Sequence, residues 1–186
     1  MYAGHFAAAV VLRAKEPQAP FWAILIGVGF LDLLFGPFVL FGIERATVTP
    51  DVSPGFSLDH IDWSHSLAMS VVWSVLFGAL FLKRGRRVAT VIAIAVFSHF
   101  LLDLPMHPPD LALWPGSSIH IGLGLWRSLP STWWFVELAV IVAACAYYIR
   151  QAQQSQAIGR RPWLVTAVIL ALHAFNSPWI SQLTQS

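Results

Sequence analysis

The chain has 186 residues, of which 57% are hydrophobic and 11% charged, and its formal net charge is +2. Soluble domains usually carry about 25% charged residues, so this composition excludes an ordinary soluble domain. We predict one integral membrane domain over residues 1–186. The basic residues stand in short runs between apolar stretches, which argues against nucleic acid as a partner. The single cysteine, Cys145, excludes a disulfide framework and a cysteine-based zinc site.

Residues 1–12 are apolar but too short to cross a bilayer, and the positive charges follow them, the reverse of the order in a signal peptide. Five later stretches approach the roughly 20 residues that a transmembrane helix needs. These stretches are 20–43, 64–83, 87–104, 131–150 and 162–183. The predicted fold class is therefore all-α: a polytopic transmembrane helix bundle of about five spans, with a short N-terminal intramembrane or interfacial helix.

The placement of basic residues predicts the orientation of these spans. Most Lys and Arg residues lie near 13–15, 83–87 and 150–161, which fall on one side of the predicted bundle. The positive-inside rule makes that side cytoplasmic. We therefore predict a multi-pass protein of a bacterial-type inner membrane, with basic loops in the cytoplasm and an extracytoplasmic C-terminus.

Polar side chains within the apolar stretches fall in the outer half or at the midplane of the predicted bundle, given a helical rise of about 1.5 Å per residue. They are His5, Asp32, His65, His99, Asp103, Glu137, His173 and Asn176. Such residues are costly in lipid and normally face the bundle interior or a water-filled cavity. Their shared depth predicts a site open to the outer aqueous phase.

Within this group, His99 and Asp103 are spaced i, i+4 and project from one helix face. A metal ion would accept this pair as ligands, although a hydrogen bond on the helix surface would explain it equally. For Glu137, and for His173 with Asn176, a structural hydrogen bond to a neighbouring helix is the alternative. Two further histidines, His107 and His120, lie in the outer loop, where we expect solvated side chains.

Five short elements follow one another along the chain: Gly4-His5-Phe6, Phe30-Leu31-Asp32-Leu33-Leu34, His60-Ile61-Asp62-Trp63-Ser64-His65-Ser66, Ser98-His99-Phe100-Leu101-Leu102-Asp103 and Leu113-Trp114-Pro115. Their order and spacing resemble those of the YdjM-like family of membrane-bound proteins, which are described as predicted metal-dependent hydrolases. The resemblance covers roughly residues 1–116. It implies a metal site built from His5, Asp32, His65, His99 and Asp103.

The family is similar to zinc-dependent phospholipases C, so the resemblance implies phosphoester hydrolysis with a divalent metal, zinc in the first instance. Two family positions differ in this chain. Leu34 replaces the second Asp of an Asp-x-Asp element, and Ile61 replaces an Arg that would bind phosphate bidentately. Either the site holds one metal, or Asp62 or Glu137 substitutes, or activity has been lost.

The leading functional hypothesis is a metal-dependent hydrolase of a phosphoester or lipid-like substrate, with membrane lipid as partner and its site on the extracytoplasmic side. A divalent ion would lower the pKa of a bound water to about 7 and polarise the scissile bond. Asp62, Glu137 or His60 would serve as general base.

The alternative is a non-catalytic membrane subunit or assembly factor that packs against other membrane protein subunits. A third hypothesis makes His99 and His173 axial ligands of a haem. A proton or ion pathway is disfavoured, because the inner half of the predicted spans holds no ionisable relay residue.

Overall fold

Helices make up most of the protein in this computed structural model, which describes residues 2–49, 56–129, 132–155 and 162–177. The helices are α1 (Tyr2–Lys15), α2 (Phe21–Val28), α3 (Phe30–Leu40), α4 (Asp62–His65), α5 (Leu67–Ala79), α6 (Arg86–Asp103), α7 (Leu125–Ser128), α8 (Thr132–Gln154) and α9 (Pro162–Phe175). A 3-10 turn at Leu82–Arg84 joins α5 to α6. The predicted helical fold class is confirmed.

Two short hairpins interrupt the helices, and the all-α prediction did not include them. Antiparallel strands β1 (Arg45–Val48) and β2 (Phe56–His60) form one hairpin, and β3 (Leu111–Ala112) and β4 (His120–Ile121) form the other. In the first, the Thr47 hydroxyl donates a hydrogen bond of 2.5 Å to the exposed Asp59 carboxylate. This bond lowers the pKa of Asp59, because it stabilises the charged form. Both hairpins lie in connections predicted to face the outer side.

The prediction of five spans does not hold by helix length and hydropathy. Among the described residues, α8 alone is long and apolar enough to cross a membrane, and α2 with α3 adds a second span if this pair, bent by 52°, counts as one. The apolar helices α5 and α9, of 13 and 14 residues, are shorter. The end of the predicted last span, 178–183, lies outside the described residues.

The apolar stretches are divided because the backbone breaks within them. The stretch 20–43 breaks at Gly29 and ends in the turn before β1, and the stretch 64–83 breaks at Ser66. The 18 residues of α6 include charged groups at both ends, Arg86, Arg87 and Asp103. The five-span prediction relied on hydropathy, which reports apolar composition and not where a helix starts. Ser66, which caps α5 by accepting a hydrogen bond from the Met69 N–H, was a usable signal for the second break.

Helix α5 has an inverted distribution of side chains. Its buried face consists of the small residues Ser70, Ser74 and Gly78, spaced four residues apart. Large apolar residues such as Val75 and Leu76 point outward and are more than half exposed. A small-xxx-small face against a neighbouring helix with aliphatic side chains outside is typical of helices whose surroundings are lipid.

Helices α1 and α6 form the centre of the fold. Helix α1 packs against α2, α6, α8 and α9, and α6 packs against α2 and α5. The α5–α6 contact is very close, since a Cβ added at Gly78 would lie 2.8 Å from the carbonyl oxygen of Ala89. Small residues therefore permit the approach of the backbones.

The two central helices run antiparallel, which gives the fold a basic end and a histidine-rich end. At the basic end, the Arg87 guanidinium pairs at 2.5 Å with the buried Glu16 just beyond α1. At the opposite end, the ring of His5 on α1 stacks on that of His99 on α6, with centroids 3.8 Å apart. The separation of basic and histidine-rich regions predicted from the sequence is thus present along this helix pair.

Candidate metal centre

The first group of converging side chains comes from the stacked pair of helices. Nε2 of His5 lies 3.2 Å from Oδ1 of Asp103, and Nε2 of His99 lies 3.1 Å from Oδ2 of the same carboxylate. All three side chains are buried. One ligand atom from each falls within 4.8 Å of the others, which is a spacing that could hold a metal ion. We call His5, His99 and Asp103 the first triplet.

A second group shares His99 with the first. Oδ1 of Asp32 on α3 lies 3.5 Å from Nε2 of His65 on α4 and 3.6 Å from Nε2 of His99. These atoms also satisfy the 4.8 Å spacing, and we call Asp32, His65 and His99 the second triplet. The Asp32 side chain is 61% exposed while the two imidazoles are buried. Asp32 therefore marks the open edge of the cluster, from which a ligand could enter.

Hydrogen bonds on the far side of the rings determine which nitrogens face the cluster. Nδ1 of His99 lies 2.7 Å from the carbonyl oxygen of Val28. Since a carbonyl only accepts, Nδ1 carries the proton and Nε2 of a neutral ring presents its lone pair to Asp32 and Asp103. Nε2 of His99 is buried between these carboxylates, 3.1 Å from Oδ2 of Asp103 and 3.6 Å from Oδ1 of Asp32. Either a proton on Nε2 or a metal cation between these groups would satisfy the two carboxylates.

His65 is oriented through a serine and a carboxylate. Its Nδ1 lies 2.6 Å from the Ser64 hydroxyl, which in turn lies 2.7 Å from Oε2 of the buried Glu44. The Ser64 N–H also donates to Glu44 at 2.7 Å. If the hydroxyl donates to Glu44, it accepts from Nδ1 of His65, and Nε2 of His65 is free to bind a metal. Metal-ligating histidines usually have such a partner.

The five residues predicted as metal ligands therefore lie together: His5, Asp32, His65, His99 and Asp103. A buried imidazole nitrogen with two carboxylates within 3.6 Å fits a divalent cation. Nitrogen and carboxylate oxygen are ligands that zinc accepts, and several other divalent metals bind them too. The donor set is consistent with a metal centre and does not select the element.

The residues predicted as general bases lie around this cluster and have other partners. Oδ2 of Asp62 accepts a hydrogen bond of 2.9 Å from the Gly116 N–H, which fastens the 111–121 loop to α4. Oδ1 of Asp62 lies 3.6 Å from Nδ1 of His60, whose side chain is 46% exposed. Asp62 is buried one helical turn before His65, so its contacts are those of a residue that positions the loop.

Glu137 on α8 contacts the backbone beside His5. Its Oε1 accepts a hydrogen bond of 2.7 Å from the Gly4 N–H, one of the first N–H groups of α1, which have no partner within their own helix. Its Oε2 lies 3.8 Å from Nδ1 of His173. This carboxylate therefore caps the helix that carries His5, which is a structural role that the sequence left open.

The surroundings of His99 and His173 do not fit the axial ligation of a haem. The free nitrogen of His99 faces two carboxylates at close range, whereas His173 stacks on Trp134 with ring centroids 4.4 Å apart. Asn176 follows the last turn of α9, and its backbone N–H bonds to Leu172 and His173. The two histidines thus belong to separate polar groups.

The sequence also missed residues that complete the cluster. His107 was expected to be solvated, but it is 2% exposed, and its Nε2 lies 3.8 Å from Oδ2 of Asp103. Asp110 accepts from Nδ1 of His107 at 2.9 Å. The spacing of 99, 103 and 107 at four residues was a usable signal. The prolines at 105 and 108 obscured it, because they predict a loop. His120, by contrast, is exposed as expected.

Comparisons with protein-family models, with curated proteins and with solved structures return no match for this chain. The functional interpretation therefore depends on the geometry of the site.

Proposed function

We propose that the protein is a membrane-embedded, metal-dependent hydrolase that acts on a phosphoester or lipid-like substrate at the extracytoplasmic side. The main observation is the environment of His99, whose buried Nε2 lies within 3.6 Å of carboxylate oxygens of both Asp103 and Asp32. A divalent ion bound there would supply Lewis acidity and activate water near neutral pH. The resemblance of the five short sequence elements to metal-dependent hydrolases supports this reaction class.

The chain's own residues would contribute orientation and access. The Val28 carbonyl contacts Nδ1 of His99, and the Ser64 hydroxyl, itself bonded to Glu44, contacts Nδ1 of His65. If both rings are neutral and donate from Nδ1, their Nε2 lone pairs would be available to the ion. The exposed carboxylate of Asp32 leaves the cluster open on one side. Burial of the other ligands excludes water from the remaining sides.

Two features support a lipid-like substrate in a membrane. The first is the inverted side-chain distribution of α5, with small residues inside and aliphatic residues outside. The second is an apolar groove of about 220 Å³ between α1, α6 and α8. Its lining includes Gly4, Ser98 and Leu102, each of which directly precedes a member of the first triplet. The groove therefore runs along the helices that carry the first triplet, although none of the three ligands lines it.

The test is the metal content of the purified protein, measured by mass spectrometry, together with hydrolysis of phospholipid substrates. The wild type should contain a divalent metal and lose activity when a chelator removes it. His99→Ala should lose both metal and activity. The matched control is His173→Ala, which removes an equally buried imidazole outside the cluster and should retain both.

A folded wild-type protein that binds no divalent metal would refute the proposed function. If that protein also purified in a fixed ratio with other membrane proteins, a role as a membrane subunit would replace the enzymatic one.

A further inference from the structure

The two triplets cannot each supply three protein ligands to an ion of its own at the same time. The two triplets share Nε2 of His99, and an imidazole nitrogen has one lone pair to give. Whichever triplet takes His99, the other retains two protein ligands. A second ion would need one more donor close to both triplets.

His107 lies beside both triplets, outside the 4.8 Å spacing that defines them. Its Nε2 lies 3.8 Å from Oδ2 of Asp103 in the first triplet. Its ring is stacked near that of His65 in the second triplet, with centroids 6.4 Å apart. The side chain is buried, although it belongs to a loop. It therefore borders both triplets.

The ring of His107 is also held in the state that binds a metal. Asp110 lies 2.9 Å from Nδ1, so its carboxylate accepts a hydrogen bond from Nδ1–H, and in the neutral ring Nε2 then carries the lone pair. Trp126 packs on the ring with centroids 4.5 Å apart. The backbone is held as well. The His107 N–H donates to the backbone carbonyl of Asp103 at 2.9 Å, and the His107 carbonyl accepts from the Gly124 N–H at 2.7 Å. A loop histidine with this support is pre-organised.

We infer that His107 is a sixth metal ligand and that the centre binds two divalent ions. His99 would coordinate one ion, and Asp103 and His107 would coordinate the other. This inference rests on the metal dependence in the proposed function and adds to it the number of ions and a ligand outside the five-residue set. Asp110 is the positioning residue for His107. In two-metal sites the ions together stabilise the attacking and leaving oxygens of a displacement, which suits a phosphoester.

The experiment is equilibrium dialysis of the purified full-length protein against Zn²⁺, with bound zinc counted by mass spectrometry. The wild type should bind two ions per chain, and His107→Ala should bind one. Asp110→Ala retains the ligand but removes its orienting partner, so the affinity for one of the two ions should fall about 10- to 100-fold. His120→Ala, an exposed histidine in β4, should still bind two ions.

The outcomes separate this inference from the proposed function. One ion per chain in the wild type, unchanged in His107→Ala, would overturn the inference and leave the proposed function intact. No bound ion in the wild type would overturn the proposed function itself. If His107→Ala lost both ions by misfolding, Asp110→Ala would decide: two ions bound with unchanged affinity would contradict a role for His107.

Discussion

The relay from Glu44 through Ser64 to His65 gives a sharp test of the metal centre. Ser64→Ala removes the hydroxyl that lies 2.6 Å from Nδ1 of His65 and 2.7 Å from Oε2 of Glu44. No ligand atom is changed. The substitution removes only the group that selects the His65 tautomer, so it isolates the effect of orientation on metal binding.

The expected magnitude follows from the hydrogen bonds that the Ser64 hydroxyl makes to these two side chains. Removal of the partner of a metal-ligating histidine typically costs about 10- to 100-fold in metal affinity, which corresponds to about 1.4–2.7 kcal/mol. The buried Glu44 would keep its bond from the Ser64 N–H but lose the hydroxyl. We therefore also expect a loss of about 1–3 kcal/mol in the free energy of unfolding of the metal-free protein.

The assay is competition for Zn²⁺ between the protein and a chromogenic chelator, with metal-free stability measured separately by thermal unfolding. Ser98→Ala is the matched control. Ser98 directly precedes His99 as Ser64 precedes His65, but its hydroxyl bonds to the Ala95 carbonyl of its own helix at 2.7 Å. Ser98→Ala should leave the zinc affinity unchanged. A Ser64→Ala protein with wild-type zinc affinity would refute the assignment of His65 as an oriented ligand.

Two further predictions concern the helices that position the site. Gly78→Ala should destabilise the protein by about 1–3 kcal/mol, because the new Cβ would lie 2.8 Å from the Ala89 carbonyl oxygen. In the control, Gly36→Ala, the new Cβ meets no atom within 4 Å and should stabilise α3 by up to about 1 kcal/mol. Equal melting temperatures for the two variants would contradict the close α5–α6 contact. Glu137→Ala should lower stability by about 1 kcal/mol or more by removing the cap on Gly4, and Glu137→Gln should restore much of it, because an amide oxygen still accepts the bond. Hydrolysis that survives Glu137→Gln would exclude Glu137 as general base, and its loss in a stable protein would support that role.

The sequence predicted which polar side chains converge better than it predicted the helices that carry them. Charged and imidazole groups within apolar stretches are informative individually, because lipid or a packed core tolerates them only with partners. His99 and Asp103 could be paired by spacing alone, and their common depth with His65 indicated a shared site. The partners that fix the tautomers could not be predicted, because Glu44 and Asp110 lie in connections whose path depends on tertiary contacts.

The failure of the five-span prediction and the convergence of the predicted ligands have one physical cause. The break at Gly29 ends α2 and leaves the Val28 carbonyl at a helix terminus, where carbonyls lack partners within the helix. That carbonyl accepts the hydrogen bond from Nδ1 of His99, and α3 restarts after the break to bring Asp32 to the cluster. The break at Ser66 similarly isolates a four-residue α4 that carries His65. Irregular backbone is tolerated inside an apolar environment where polar groups satisfy it. The breaks that interrupt the helices thus allow several short elements to direct their side chains to one point.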